Sequence, residues 1–270
     1  MHGNIKKWDE VLLMEMREGK FLLKLAETAM EKKQIYALRY SVYCQELNFA
    51  GKKNEFAADN DGEIDCFDEL CDHLVISDVE HNRCVGTFRF LPGGRLPQGS
   101  GFYSEQWFDI GQLKDKRTQI LELGRACIDV QYRNTSVFKL LFAGLGTYLK
   151  SNPHKYLIGL TTLPADAKND IGAIAQYLIG NNVVNMAFGI KPKQQLDLTA
   201  VTSGEFTVAQ ISQRAILKKM STLMLAYYKY GAEFISEPSM DVDFNPPVFD
   251  FFTIFDVQKF PAWVTRGKAG

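Results

Sequence analysis

Hydrophobic and polar positions divide this chain into short apolar runs suited to strands and a few longer stretches with a helical period. Residues 21–26 read as a strand, and residues 32–47 carry apolar positions at helical spacing. Residues 74–77 and 85–91 are apolar runs joined by the short polar turn EHNR, which predicts a hairpin. The glycine- and proline-rich segment PGGRLPQGSG ends that second strand, and a further strand follows over residues 119–130. Beyond it the pattern predicts a helix over 137–149, a strand over 156–162, an interrupted helical region, a helix over 213–229 ending before Gly231, and strands near 233 and 250. This order predicts an α/β (α+β) fold, a mixed central sheet with helices on both faces. No low-complexity linker or internal repeat divides the chain, so residues 1–270 are expected to form a single domain.

At the N-terminus, Trp8, Val11, Leu12 and Met16 fit one amphipathic helix over residues 5–18. Packing against the domain is one use of such a face, and shallow docking on a membrane is the other. No apolar run is long enough to span a bilayer, and the first residues lack the apolar core and cleavage site of a signal peptide. Five cysteines, Cys44, Cys66, Cys71, Cys84 and Cys127, form no CxxC pair. They point to a reducing cytoplasm, with a peripheral position on the inner face of the membrane as a further expectation. Cys66, Cys71 and His73 lack zinc-ligand spacing, so no metal is expected. A formal net charge of -1 argues against a dedicated nucleic-acid binder. Two local basic clusters stand out, Lys114, Lys116 and Arg117, and Arg214, Lys218 and Lys219.

The most informative segment is ILELGRACIDVQY, residues 120–132, which sets Glu122 and Arg125 within an otherwise apolar strand. A charge in a buried strand costs several kcal/mol unless it is paired or serves chemistry. In a regular strand these two would face opposite ways, so joint action requires a bulge near Gly124. Upstream, DNDGEIDCFDELCDHL packs Asp59, Asp61, Glu63, Asp65, Asp68, Glu69 and Asp72 together. A calcium loop does not fit, because a twelve-residue loop from Asp59 would need a carboxylate where Leu70 stands. Such acids can receive a cationic ligand or hold arginines in place, and Arg39, Arg89 and Arg125 are the candidates.

These segments together resemble a known family over most of the chain. RYSVYCQEL (39–47), EIDCFDELCDHLVISD (63–78), VGTFRFLPG (85–93), GFYSEQWFD (101–109), ELGRACID (122–129), YRN with LLFAGLGTYL (132–149) and MLAYYKYGAEFISEPSMDVDFN (224–245) are similar to the ornithine lipid, or hemolysin-like, N-acyltransferases of the GNAT superfamily. The related acyl-homoserine-lactone and N-acyl amino acid synthases share a shorter set, matched here by Arg39, Glu63, Asp65, Asp68, Arg89, Glu122 and Arg125. The long C-terminal half, about 164–270, resembles the lipid-synthesis group rather than the lactone synthases.

The resemblance implies a GNAT-like sheet that opens between its fourth and fifth strands, and acyl transfer from a thioester to the α-amine of an amino acid such as ornithine, lysine or glycine. Typical acetyl-CoA enzymes carry a glycine-rich QxxGxG/A loop after the fourth strand, whose amides bind pyrophosphate. Here the loop reads VQYRNTS, so the expected donor is a long-chain acyl group, plain or 3-hydroxylated, on acyl carrier protein rather than acyl-CoA, with no bound cofactor. Arg133, Thr135 and Ser136 would meet the phosphopantetheine arm, while the Gly124 to Ala126 amides would hold the oxyanion. Glu122 is expected to act as base, with Arg125 paired to the acids around Asp65 and Asp68. Tyr132 or Tyr148 would protonate the thiolate. Arg39 and Arg89 serve as carboxylate clamps or as partners of Asp65 and Asp68. The helical region 164–185 and the loop 190–212 are expected to shape the acyl tunnel. The alternatives are an acyl-homoserine-lactone-type signal synthase and, from a different class, a catalytically silent acyl-carrier-binding module.

Overall fold

The computed structural model describes residues 15–47, 62–164, 168–194, 213–235, 237–241 and 247–260. Eleven strands are present among them: β1 (Glu15–Glu18), β2 (Phe21–Leu25), β3 (Asp72–Asp78), β4 (Arg83–Pro92), β5 (Phe108–Asp109), β6 (Ile120–Ile128), β7 (Tyr156–Pro164), β8 (Lys191–Pro192), β9 (Glu233–Phe234), β10 (Ser239–Asp241) and β11 (Val248–Asp256). Five helices accompany them: α1 (Ala29–Arg39), α2 (Val137–Ser151), α3 (Lys168–Gly180), α4 (Gln213–Leu217) and α5 (Thr222–Lys229). Nine strands form one mixed sheet in the order β1-β2-β3-β4-β6-β7-β11-β10, with β9 pairing β11 to the side. β5 and β8 form a separate ribbon.

Strand alternation sorts the apolar residues onto two faces. Leu74, Ile76, Phe88, Phe90, Leu121, Leu123, Leu157 and Phe251 pack against Leu141, Phe142 and Leu145 of α2. The intervening positions build two clusters on the opposite face. One gathers Val75 and Cys127 beneath Ile35 and Leu38 of α1. The other joins Leu91, Ile120, Ile158, Phe252 and Ile254 to Phe102 and Phe108. The polar residues of interest lie between these two clusters.

Three differences from the sequence-based expectation have local causes. Residues 15–18, expected in an amphipathic helix, pair with β2 as a hairpin across the two-residue turn Gly19-Lys20; residues 1–14 lie outside the described residues. The helix expected over 32–47 starts at a Thr28 capping box with Glu31 and ends at Arg39, continuing as a π-helical stretch, Tyr40–Glu46. The helix expected over 213–229 is two, because the Ser221 hydroxyl accepts the Met224 amide and starts α5 afresh.

The sheet opens where the resemblance implied. β6 and β7 pair in parallel only from Ile120↔Tyr156 to Leu123↔Gly159, whereas β7 continues to Pro164 paired with β11. Gly159 stands at the parting point, where a Cβ would lie 2.6 Å from the Leu123 carbonyl oxygen. Gly159→Ala must therefore push the two strands apart at their last shared register. We expect a loss of about 1–3 kcal/mol, the usual cost of overpacking, read as a fall in denaturant midpoint; an unchanged midpoint would contradict so close an approach.

Candidate active site

The bulge expected near Gly124 is present one residue later. Arg89 pairs with Gly124 and Thr87 with Cys127, so one residue of β4, Phe88, stands opposite two of β6, Arg125 and Ala126. Arg125 and Ala126 stand outside the register on both sides of β6, and Arg125 has the left-handed φ of 52°. A non-glycine residue there is uncommon and marks an enforced conformation. The bulge swings Arg125 onto the face that carries Arg89 and Glu122. Its Nε donates to Glu63 Oε1 at 3.0 Å and its Nη2 to Asp65 Oδ2 at 2.8 Å.

A network of three arginines and three carboxylates results. Arg39, the last residue of α1, is fully buried and donates to Asp68 through Nη1 at 2.7 Å and to Glu63 through Nε at 2.5 Å. Arg89 donates through Nη1 to Asp65 at 2.6 Å and to Asp68 at 3.0 Å. Gly62 permits this meeting. Its φ is 139°, and a Cβ there would lie 2.5 Å from Tyr36 Cβ on α1. The backbone can thus lie directly on the helix, with the Glu63 amide bonded to the Tyr36 carbonyl, bringing Glu63 beside Arg39. The arginines hold Glu63, Asp65 and Asp68 below the ordinary carboxylate range despite burial. Arg125 was expected to pair around Asp65 and Asp68; its partners are Glu63 and Asp65, while Asp68 serves Arg39 and Arg89.

Glu122 occupies a different environment. It is 4% exposed, and its two oxygens accept the backbone amides of Tyr103 and Ser104 at 2.7 and 2.8 Å. Burial raises its pKa above the ordinary range, against the pull of Ser104, the Tyr103 amide and Arg89. The Tyr103 ring then covers Arg125, with the guanidinium 4.8 Å from the ring centroid. Glu122 and Arg125 therefore meet through Tyr103. Nearby, a cleft of about 460 Å³ is lined by residues that include Phe67, Leu70, Leu96, Pro97, Phe102 and Lys193.

Several expected site residues lie elsewhere. Tyr132 and Tyr148 belong to the core on the α2 face, where their hydroxyls donate to Asp78 at 2.9 Å and Asp72 at 2.6 Å. Neither is placed to protonate a thiolate beside Glu122. Arg133 donates from both terminal nitrogens to Glu46. Thr135 donates its hydroxyl to the Tyr132 carbonyl at 2.5 Å, and Ser136 precedes α2 without a side-chain cap. Burial pushes the Cys127 thiol far above its ordinary pKa, which disfavours it as a nucleophile.

The structure adds two residues. Tyr103 lies in a quoted motif, yet nothing in its spacing marks it. Asp250 is 3% exposed on β11 and accepts a 2.6 Å hydrogen bond from Thr162 of β7. A lone acid within the apolar run VFDFFTIFD is the same signal that singled out Glu122.

Comparison with known proteins agrees with this geometry. The acetyltransferase (GNAT) domain matches residues 38–143, a segment running from the end of α1 into α2. The L-ornithine N(alpha)-acyltransferase of Rhodobacter capsulatus is 29% identical over 247 residues, covering 87% of this chain and 90% of the relative. That of Agrobacterium fabrum is 27% identical, covering 85% and 79%, and that of Brucella abortus is 30% identical, covering 53% of each. The chain is thus similar to the L-ornithine N(alpha)-acyltransferases over most of its length and matches the acetyltransferase (GNAT) domain over residues 38–143, similarities that support transfer of an acyl group to an amine.

Proposed function

We propose that this acyltransferase moves a long-chain fatty acyl group, plain or 3-hydroxylated, from acyl carrier protein to the α-amine of an amino acid, with ornithine the first candidate. The observation that carries this reading is the convergence of Glu122, Tyr103 and the Arg125 bulge where β6 leaves β7. A thioester entering that opening would lie along the bulge, whose out-of-register Arg125 and Ala126 amides are suited to a tetrahedral oxyanion. The neutral amine attacks the carbonyl carbon, forming the C–N bond, and Glu122 takes a proton from nitrogen directly or through one water. Collapse of the intermediate breaks the C–S bond. The departing thiolate receives a proton, for which Tyr103 replaces Tyr132 and Tyr148; burial keeps its phenol protonated by raising its pKa.

Recognition of the acceptor carboxylate falls to Arg125 in this scheme. All three arginines bind carboxylates, but Arg39 and Arg89 are 0% and 4% exposed, whereas Arg125 is 15% exposed. Glu63 and Asp65 then orient Arg125, and Asp68 holds the other two arginines.

The donor follows from the loop after β6. VQYRNTS offers no glycine for close backbone approach to a pyrophosphate, whereas the start of α2 can take the single phosphate of a phosphopantetheine arm. Steady-state rates with matched acyl chains test this point. A higher kcat/KM with acyl carrier protein than with acyl-CoA is expected; turnover with acyl-CoA alone would overturn the donor assignment while leaving the transfer chemistry standing.

A further inference from the structure

Asp250 is a buried carboxylate on the site face of the sheet with no ion pair among the described residues. Of the other buried carboxylates, Asp68 is paired with Arg39 and Arg89, Asp78 with Lys20, Glu122 rests on two amides, and Asp241 lies beside Asp250 on the neighbouring strand β10. The named partner of Asp250 is the neutral Thr162 hydroxyl. A buried carboxylate without a compensating cation is expensive, so it either takes up a proton or gains a cation.

Its position is specific. Asp250 pairs with Thr162, three residues past the parting point at Gly159. Extending the β6–β7 register would set Thr162 level with Ala126, so Asp250 and Thr162 line the rim of the opening that faces the bulge. Alternation puts Asp250 on the same face as Phe252 and Ile254, the face of Glu122 and Arg125. The guanidinium of Arg125 acts electrostatically on Asp250, as does the carboxylate of Asp241 on β10, and both aspartates act on the Tyr103 phenol. Thr162 and Tyr103 are half-buried, so the rim is reachable. One rim therefore presents a guanidinium and the other a carboxylate, and the Tyr103 phenol feels both.

We propose that Asp250, set by Thr162 and backed by Asp241, binds a side-chain ammonium of the acceptor and so selects a diamino acid over one with an uncharged side chain. The inference rests on the acyl-transfer reading above. The acceptor lies across the opening, its carboxylate at Arg125 and its second ammonium at Asp250, leaving the α-amine between them at the bulge. Burial, first, and the neighbouring Asp241 raise Asp250 from the ordinary range to about 7, with Thr162 and Arg125 opposing. The carboxylate that binds the cation is therefore more populated as pH rises through about 7.

The test compares ornithine with norvaline, which has the same carbon chain without the second amine, using full-length protein and saturating acyl donor. Wild type is expected to favour ornithine, and the ornithine-to-norvaline ratio of kcat/KM should rise through about pH 7. In Asp250→Asn, ornithine kcat/KM should fall about 10- to 100-fold, as expected for a lost charged hydrogen bond. Norvaline should change less than about threefold and the ratio should become flat with pH. Asp250→Glu keeps the charge on a longer arm and should shift preference toward 2,4-diaminobutyrate, whose side chain is one methylene shorter. Equal acylation of ornithine and norvaline by wild type, or equal loss with both in Asp250→Asn, would overturn the inference and leave the acyl-transfer reading intact. Acylation of neither would remove both.

Discussion

Glu122→Gln is expected to reduce acyl transfer at least about 100-fold, within the range contributed by a general base. The substitution preserves volume and removes the one property the chemistry needs, a carboxylate able to take a proton inside an apolar face. Burial lifts the Glu122 pKa above the ordinary carboxylate range, so it holds a proton more tightly than an exposed carboxylate would. A structural cost accompanies the change. Glutamine offers one oxygen where glutamate offers two, so one of the Tyr103 and Ser104 amides loses its acceptor. An unsatisfied buried amide costs about 1–3 kcal/mol, a fraction of typical domain stability. A folded variant with modestly lowered Tm and transfer near background is the expected result, from circular dichroism and steady-state kinetics. Transfer within threefold of wild type would reduce Glu122 to an anchor for the Tyr103 loop.

Asp68→Ala is expected to have the largest effect on stability, about 3–5 kcal/mol, because it takes a shared carboxylate from two buried cations at once and leaves each with one partner. Arg39 and Arg89 share Asp68 at 2.7 and 3.0 Å, and Arg39 has no exposed surface through which to recover hydration. The pH dependence has a definite sign. Asp68 is held below its unfolded-state pKa, so its stabilisation is fully present above the ordinary carboxylate range, roughly pH 4, and is lost as pH falls below it. Denaturant unfolding at several pH values should therefore show a gap between wild type and Asp68→Ala that is wide at pH 7 and narrows toward pH 3. A gap constant with pH, or below about 1 kcal/mol, would mean that the network is dispensable to the fold.

Charge in an apolar context was the most legible signal in the sequence. Glu122 and Arg125 stood out because strands on a covered face do not carry charges idly, and the need for a bulge followed from their three-residue spacing. Its location one residue beyond Gly124 was not legible, since the left-handed Arg125 reaches partners, Glu63 and Asp65, that lie about sixty positions away. The division of carboxylates among the arginines likewise depends on how Gly62 lays its segment on α1. Tyr132 and Tyr148 were plausible acids from their nearness in sequence to β6 and α2, but strand alternation and the packing of α2 put them on the other face. Asp250 carried the same signal as Glu122, a lone acid among aromatics, and its relation to the site required the pairing of β7 with β11.

Product analysis tests the central claim most directly. Purified protein would be incubated with long-chain acyl carrier protein, plain and 3-hydroxylated, and a mixture of amino acids, and the products resolved by tandem mass spectrometry. The account predicts an N-acyl amino acid with the acyl group on the α-nitrogen, absent when Glu122→Gln replaces wild type. No N-acyl product from carrier-bound or CoA-bound donors, with folded protein and intact carrier binding, would contradict it and favour a silent carrier-binding module.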